Sequence, residues 1–315
     1  MAERLRWLGA ALLAFAAPAA SAEPETPPLR IVILGSGTPV PSRTQAGTAI
    51  LVQAGADNLL FDCGRGCTTR LAQYDPALLP RIDRLFLTHL HSDHVVGIPD
   101  LWLNGWTQGR AESLRVWGPK GSGAMMAGLR KAFAADIGYR RADGIPASDV
   151  GIAPAVTTVR GDGVIYRKGD LSVTAFAVEH GDIPAFGYRI DRGDVSVLIS
   201  GDTAATPQLA RYGRGVDVAL IEVASPPMTA YVRRSFSAAQ AQKILALHLG
   251  AEDAGDALAD MKPGLALYYH SVAGEAADAA LLAATRTRYG GRVAVGRDLM
   301  AIAVYPGRVV VDPPD

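Results

Sequence analysis

Cysteine is nearly absent from this chain: Cys63 and Cys67 are the only two in 315 residues. That excludes a disulfide-built scaffold and a thiolate-rich zinc module, both of which need several cysteines at set spacings. The pair reads as two small buried residues, with a cysteine zinc ligand as the alternative and a disulfide, which a four-residue separation would make of little use in loop closure, left open. Net charge is missing too. Basic and acidic residues each number 31, so there is no overall electrostatic footprint for nucleic acid. Beyond the N-terminus no apolar run approaches the length of a membrane span, and there are no obvious short repeats. Gly35-Ser36-Gly37-Thr38-Pro39 lacks the lysine of a phosphate-binding loop and the full spacing of a dinucleotide fingerprint. Histidine is scarce, with six residues, which makes its placement informative.

What is present begins with an N-terminal pattern. Arg4 and Arg6 precede an uncharged apolar run over residues 7–19, and Ala20-Ser21-Ala22 supplies a small-residue cleavage site. Residues 1–22 therefore read as a secretory signal peptide, with an uncleaved membrane anchor as the alternative. The expectation is a periplasmic or secreted protein, with no membrane association after cleavage near Ala22. Residues 23–28 read as a flexible lead-in. A hydrophobic content of 49% then allows a sizeable core in one large α/β domain or two small ones.

Apolar runs predict strands at residues 29–34, 48–52, 58–61, 85–87, 114–118, 169–178, 186–190, 195–199, 216–223 and 265–269, with a closing strand pair between 293 and 310. Helices are expected from near Cys67, over 97–104 with Trp106 in the loop beyond, over 122–135, and over 238–247. Residues 136–163 read as a loop-rich insertion near the mouth of a site. Strand-rich halves, each followed by helices, point to two packed β-layers flanked by helices.

The chemistry is concentrated in Thr88-His89-Leu90-His91-Ser92-Asp93-His94, directly after the apolar run Leu85-Phe86-Leu87. Imidazole and carboxylate are ligands that zinc takes at about 2.0–2.2 Å. An extended His-x-His sends two imidazoles the same way, and the turn after it can return Asp93 and His94 toward the same point. Three later apolar runs end in His180, in Asp202 and in His270. Singly, these read as a turn histidine, a turn-forming aspartate and a core histidine. Jointly, they make seven candidate ligands at strand ends, where α/β scaffolds gather function.

The ligand run, followed by Gly97-Ile98-Pro99-Asp100-Leu101, resembles the signature of the metallo-β-lactamase superfamily. More narrowly it resembles the ribonuclease Z-like group and its arylsulfatase-like branch, and Leu34 to Pro39 is similar to that family's opening turn. The resemblance implies an αββα sandwich over residues 29–315 and two zinc ions per chain. It assigns His89, His91 and His180 to one zinc, Asp93, His94 and His270 to the other, and Asp202 to both, with Asp93 counted among the catalytic residues as well. His248-Leu249-Gly250 is similar to a further family turn, 22 residues before His270, although the hydroxyl residue usual after the histidine is leucine here. Glu222, in Leu220-Ile221-Glu222-Val223-Ala224, is its expected partner. His248 would protonate the leaving group or bind the developing oxyanion, with Glu222 orienting it. Its alternative is a helix-end histidine without a role.

Such a site implies hydrolysis of a small-molecule ester. Arylsulfate is expected first, ribonuclease Z-like phosphodiester cleavage second and a lactone third. Only 22 positions separate His180 from Asp202, where the resembled ribonucleases insert a basic tRNA-clamping arm, so no nucleic acid partner is expected. Trp102, Trp106, Tyr139 and Phe186 are candidates to wall an apolar pocket for an aryl or alkyl group, with a place in the core as the equal alternative for most of them. An iron-dependent, flavin-partnered oxidoreductase would replace some histidines with acids, and a non-enzymatic module would have lost a ligand. Neither departure occurs. The resemblance also implies a possible homodimer.

Overall fold

The computed structural model describes residues 26–312, apart from Ala147 and Ala273. The expected signal peptide and the first residues of the lead-in lie outside the described residues. The first half runs β1 (Leu29–Gly35), β2 (Ala49–Ala54), β3 (Asp57–Phe61), α1 (Cys67–Tyr74), β4 (Arg84–Phe86), α2 (Ser92–Val95) and α3 (Ile98–Thr107). It continues through β5 (Arg115–Gly118), α4 (Ser122–Ala132), α5 (Ala134–Ala142) and β6 (Ala155–Thr158). The second half opens with β7 (Gly163–Lys168), β8 (Leu171–Ala177), β9 (Phe186–Arg192), β10 (Val195–Ile199), α6 (Pro207–Gly213) and β11 (Val218–Glu222). Then come α7 (Pro226–Ser235), α8 (Ala238–Leu245), α9 (Ala251–Met261), β12 (Leu265–Tyr269) and α10 (Glu275–Arg286). The last strands are β13 (Val293–Val295), β14 (Ala301–Tyr305) and β15 (Arg308–Asp312).

These strands form two mixed sheets. One has the order β15-β14-β1-β2-β3-β4-β5-β6, the other β13-β12-β11-β10-β9-β8-β7. Parallel pairing runs from β3 to β6 and from β10 to β13, and the other pairs are antiparallel. The strands read as unbroken apolar runs because both faces of each sheet are covered. Ile31 and Ile33 of β1 and Val218 and Leu220 of β11 enter the core between the sheets. Val32 and Leu34 turn outward to a layer shared with α1 and α3. Ala219 and Ile221 turn outward to a layer shared with α9. The result is the expected αββα sandwich, with three apolar layers stacked through it. No helix among the described residues is long and apolar enough to cross a membrane.

One expectation is corrected and two points left open by the sequence are settled. Residues 136–163 are not a loop-rich insertion: they hold most of α5, a 3₁₀ turn and the edge strand β6. Cys63 and Cys67 are buried as expected, and their pairing is decided. Gly66, at φ 82°, turns the chain so that the Cα atoms of Cys63 and Cys67 come within 5.3 Å, and the sulfurs form a disulfide. Of the four aromatics left between pocket and core, three take the core. The helix α3 runs on to Thr107, so Trp102 and Trp106 are both helical and fully buried, and their indole N–H groups donate to the Ile152 and Ser148 carbonyls. Phe186 belongs to the core between the sheets, and Tyr139 is 71% exposed on α5. Buried aromatic area had more to gain from these layers than from a cavity.

Because Trp102 is packing and not pocket, Trp102→Ala is expected to cost about 3–5 kcal/mol of stability, read by urea denaturation. The folded fraction of that variant should keep an unchanged KM.

Candidate metal centre

The ligand loop between β4 and α3 is shaped from below by Asp62, at the end of β3. Its carboxylate is 1% exposed and accepts hydrogen bonds from the Thr88 backbone N–H (2.8 Å) and from the Thr88 hydroxyl (2.7 Å). The same carboxylate lies 2.8 Å from His94 Nδ1, which fixes that ring with Nε2 turned the other way. The loop also packs backbone against backbone. A Cβ on Gly64 would collide with the Asp93 carbonyl oxygen, and one on Gly97 with the Gly64 carbonyl oxygen, so neither position accepts a larger residue.

The other groups arrive from the ends of parallel or adjoining strands. His180 follows β8 and its Nδ1–H donates to the Leu247 carbonyl at 3.0 Å, leaving Nε2 for the site. Asp202 follows β10, after Gly201 at φ 64°. His270 ends β12. Seven side chains thus meet as His89/His91/His180, His89/His94/Asp202 and Asp93/His94/His270, each set with its ligand-type atoms within 4.8 Å of one another. The first and third sets bring together the residues that the resemblance grouped, the second joins Asp202 to one histidine from each, and all seven but His91 are buried.

The spacing fits a cation. Ligand atoms on one tetrahedral zinc lie about 3.3 Å apart. His91 Nδ1 is 3.0 Å from His89 Nε2 and 3.2 Å from His180 Nε2. Asp93 Oδ2 is 3.1 Å from His270 Nε2 and 3.5 Å from His94 Nε2. Asp202 Oδ2 is 3.3 Å from His270 Nε2 and 3.4 Å from His94 Nε2, yet also 3.8 Å from His89 Nε2 and 3.9 Å from His180 Nε2. One carboxylate oxygen therefore faces both clusters. His94 Nε2 and Asp202 Oδ1 are buried with no hydrogen-bond partner, which is costly unless an ion satisfies them. Burial lowers the pKa of His89, His91 and His180, favouring the neutral imidazole that a metal takes. At His94 burial also opposes charge, but the Asp202 and Asp62 carboxylates outweigh it and hold the imidazolium well above its usual range. A positive charge is wanted there.

Glu222, at the end of β11, is fully buried. Its Oε1 accepts from Thr203 N–H (3.0 Å), Leu249 N–H (3.2 Å) and His248 Nδ1–H (3.1 Å). Burial pulls the His248 pKa down, but the Glu222 carboxylate prevails and pushes it up to about 9. His248 stands at the rim, its ring 5.2 Å from that of His180 and 5.6 Å from that of His270. It also falls into two further sets of closely spaced ligand-type atoms, one with His180 and Asp202 and one with Glu222 and His270.

A cavity of about 450 Å³ opens over His91, Asp93, His180, Asp202, His248 and His270. One side is the loop at residues 38–41. The other is the pair α7–α8, whose second member starts at a capping box between Ser237 and Gln240. The 38–41 loop is anchored by Asp298, which accepts from Ser36 N–H and its hydroxyl, from Ala46 N–H and from Arg70. Sequence reading missed Asp62, Thr88 and Asp298 in these roles. Only Asp62 carried a visible signal, an acid closing the apolar run Leu59-Leu60-Phe61.

Residues 57–271 match the family model described as the beta-lactamase superfamily domain. The ribonuclease Z of Mycolicibacterium gilvum is 31% identical over 292 residues, spanning 89% of this chain and 97% of that protein. Two solved structures share the fold at low identity. The metallo-beta-lactamase fold protein YhfI of Bacillus subtilis has a TM-score of 0.67 at 19% identity, covering 88% of this chain and 99% of that one. The short form of human tRNase Z has a TM-score of 0.64 at 18% identity, covering 87% and 99%.

Asp62→Ala should weaken metal binding by about 10–100-fold, measured by competition with a chromophoric chelator. Unchanged affinity would show that Asp62 does not orient His94. From the matched ligand loop, the sandwich and a relative aligned almost end to end, the chain belongs to the metallo-β-lactamase superfamily, in its ribonuclease Z-like group, and is a metal-dependent hydrolase of ester bonds.

Proposed function

We propose that this chain is an exported dinuclear zinc phosphodiesterase of ribonuclease Z type. The observation that carries the reading is the Asp202 carboxylate, whose Oδ2 lies within 3.9 Å of imidazole nitrogens from both ligand clusters. A position of that kind suits a bridge between two divalent ions, and the nitrogen and oxygen donor set suits zinc. When bound, such ions activate water near neutral pH and offset charge on phosphoryl oxygens.

The chain's own residues supply the rest. The cavity rim brings a diester over the two clusters, between the 38–41 loop and α7. Water adds its oxygen to phosphorus, and the ester P–O bond opposite breaks. The leaving oxygen takes a proton from His248 Nε2, and the proton lost by the water restores that imidazole. Glu222 fixes the ring through Nδ1 and favours its protonated form. A phosphodiester is preferred to the arylsulfate expected from sequence, because the relative aligned nearly end to end is named for ribonuclease activity. That name also argues against the expectation of no nucleic acid, while the short β9–β10 hairpin between His180 and Asp202 argues for it.

Export is supported by the N-terminal pattern, in which Arg4 and Arg6 precede an uncharged apolar run closed by Ala20-Ser21-Ala22. The buried Cys63–Cys67 disulfide supports it as well, since such bonds persist in oxidising compartments. N-terminal sequencing of the protein from the periplasm or medium should begin near Glu23. A cytosolic chain retaining residues 1–22 would overturn this part.

Turnover of bis-p-nitrophenyl phosphate, p-nitrophenyl sulfate and a precursor tRNA by the zinc-loaded protein tests the chemistry. The diester is expected to react fastest among the small substrates. His248→Ala should lower kcat by about 10²–10⁴-fold with metal content unchanged. Faster sulfate turnover would restore the arylsulfatase reading, and full activity in His248→Ala would remove the proposed acid.

A further inference from the structure

The wall of the metal cavity has a composition that the metal chemistry does not need. Along α7, Met228 and Val232 face the cavity with Tyr231, and Phe236 follows at the helix end. This 3–4 spacing puts an apolar stripe on one side of the helix. Pro39 and Pro41 line the opposite side. Among the described residues no lysine or arginine lines this cavity. Of the two cations on α7, Arg233 lies with Thr229 on another face, lining a neighbouring open cleft that meets the metal cavity at His248, and Arg234 lines neither.

Two of these apolar groups are conspicuous for their exposure. Tyr231 is 37% exposed and Phe236 42%, whereas the bulk of the chain's large apolar side chains are buried. Both stand at the mouth of one cavity, so their exposure is not scattered. Long nucleic acids are held through repeated phosphate contacts to Lys and Arg, and the cavity-facing side of this wall offers none. An aromatic ring, by contrast, finds aromatic and proline surfaces on which to lose water.

We infer that the cavity selects a small phosphodiester carrying an uncharged aromatic substituent, seated against Tyr231 and Phe236. The inference rests on the phosphodiesterase reading for the anionic end of the ligand. Specificity lies in the α7 wall, which stands apart from the metal-binding residues.

Calorimetric binding to the metal-loaded full chain tests it without requiring turnover. The probes are diphenyl phosphate and dimethyl phosphate, which carry the same single charge. Diphenyl phosphate is expected to bind about tenfold tighter or better. Tyr231→Ala and Phe236→Ala should each reduce that preference by about fivefold while dimethyl phosphate binding stays put. Both side chains are partly exposed, so the variants should fold, and Phe236→Tyr should retain the preference. Equal affinity for the two probes, or a preference that survives the double alanine variant, overturns the inference. So does a short single-stranded RNA that binds tighter than diphenyl phosphate with a steep salt dependence. A diphenyl preference in a protein that cleaves no diester would leave the pocket standing and sink the hydrolytic reading, so the two failures are distinguishable.

Discussion

Everything at the functional edge depends on holding one carboxylate oxygen of Asp202 amid four imidazoles in a nearly dry site. Burying that many ionisable groups without compensation would be prohibitive, since isolated charges lose far more hydration than an apolar environment returns. The chain meets the cost in two ways. Fixed partners below the site, Asp62 under His94 and the Leu247 carbonyl under His180, settle which ring nitrogen faces inward. The rest is left to cations, which the unpaired His94 Nε2 and Asp202 Oδ1 await. The site is a frame built around positive charge.

That frame is rigid because the sandwich delivers it. β4, β10 and β12 belong to parallel runs, so their chain ends emerge on one edge. Each end is clamped by apolar layers on both faces of its sheet. Interlocked glycines beneath Asp93 then let separate loops touch backbone to backbone. Small shifts of any one strand would therefore change distances to both clusters at once, coupling core packing to metal geometry.

The ligands and the architecture were legible in the sequence for a physical reason. Local spacing encodes the direction of His89, His91 and His94, and unbroken apolar runs encode strands covered on two faces. Glu222 and His248 were legible through motif likeness, and the structure brings them into hydrogen-bond contact. Direction over long distances was not legible. Trp102 and Trp106 were left between pocket and core because composition shows an aromatic without showing which way its helix faces. The residues that do line the cavity on α7 look, in sequence, like any short amphipathic helix. Asp298 holds the opposite wall from 262 positions beyond Ser36, a relation no local pattern records. The Cys63–Cys67 bond depended on a left-handed turn at Gly66, which spacing alone does not fix.

The α7–α8 pair packs through its own small cluster of Met228, Val232 and Ala241, separate from the three layers of the sandwich. Few of its contacts are shared with the strands that carry the metal-binding residues. Mutational drift on the cavity-facing side of α7 can therefore change this wall while the Leu247 carbonyl beyond α8 goes on holding His180. Descendants of such a protein could exchange one ligand preference for another by rewriting a single hairpin of helices, which makes the scaffold a natural starting point for diversification and for laboratory retargeting.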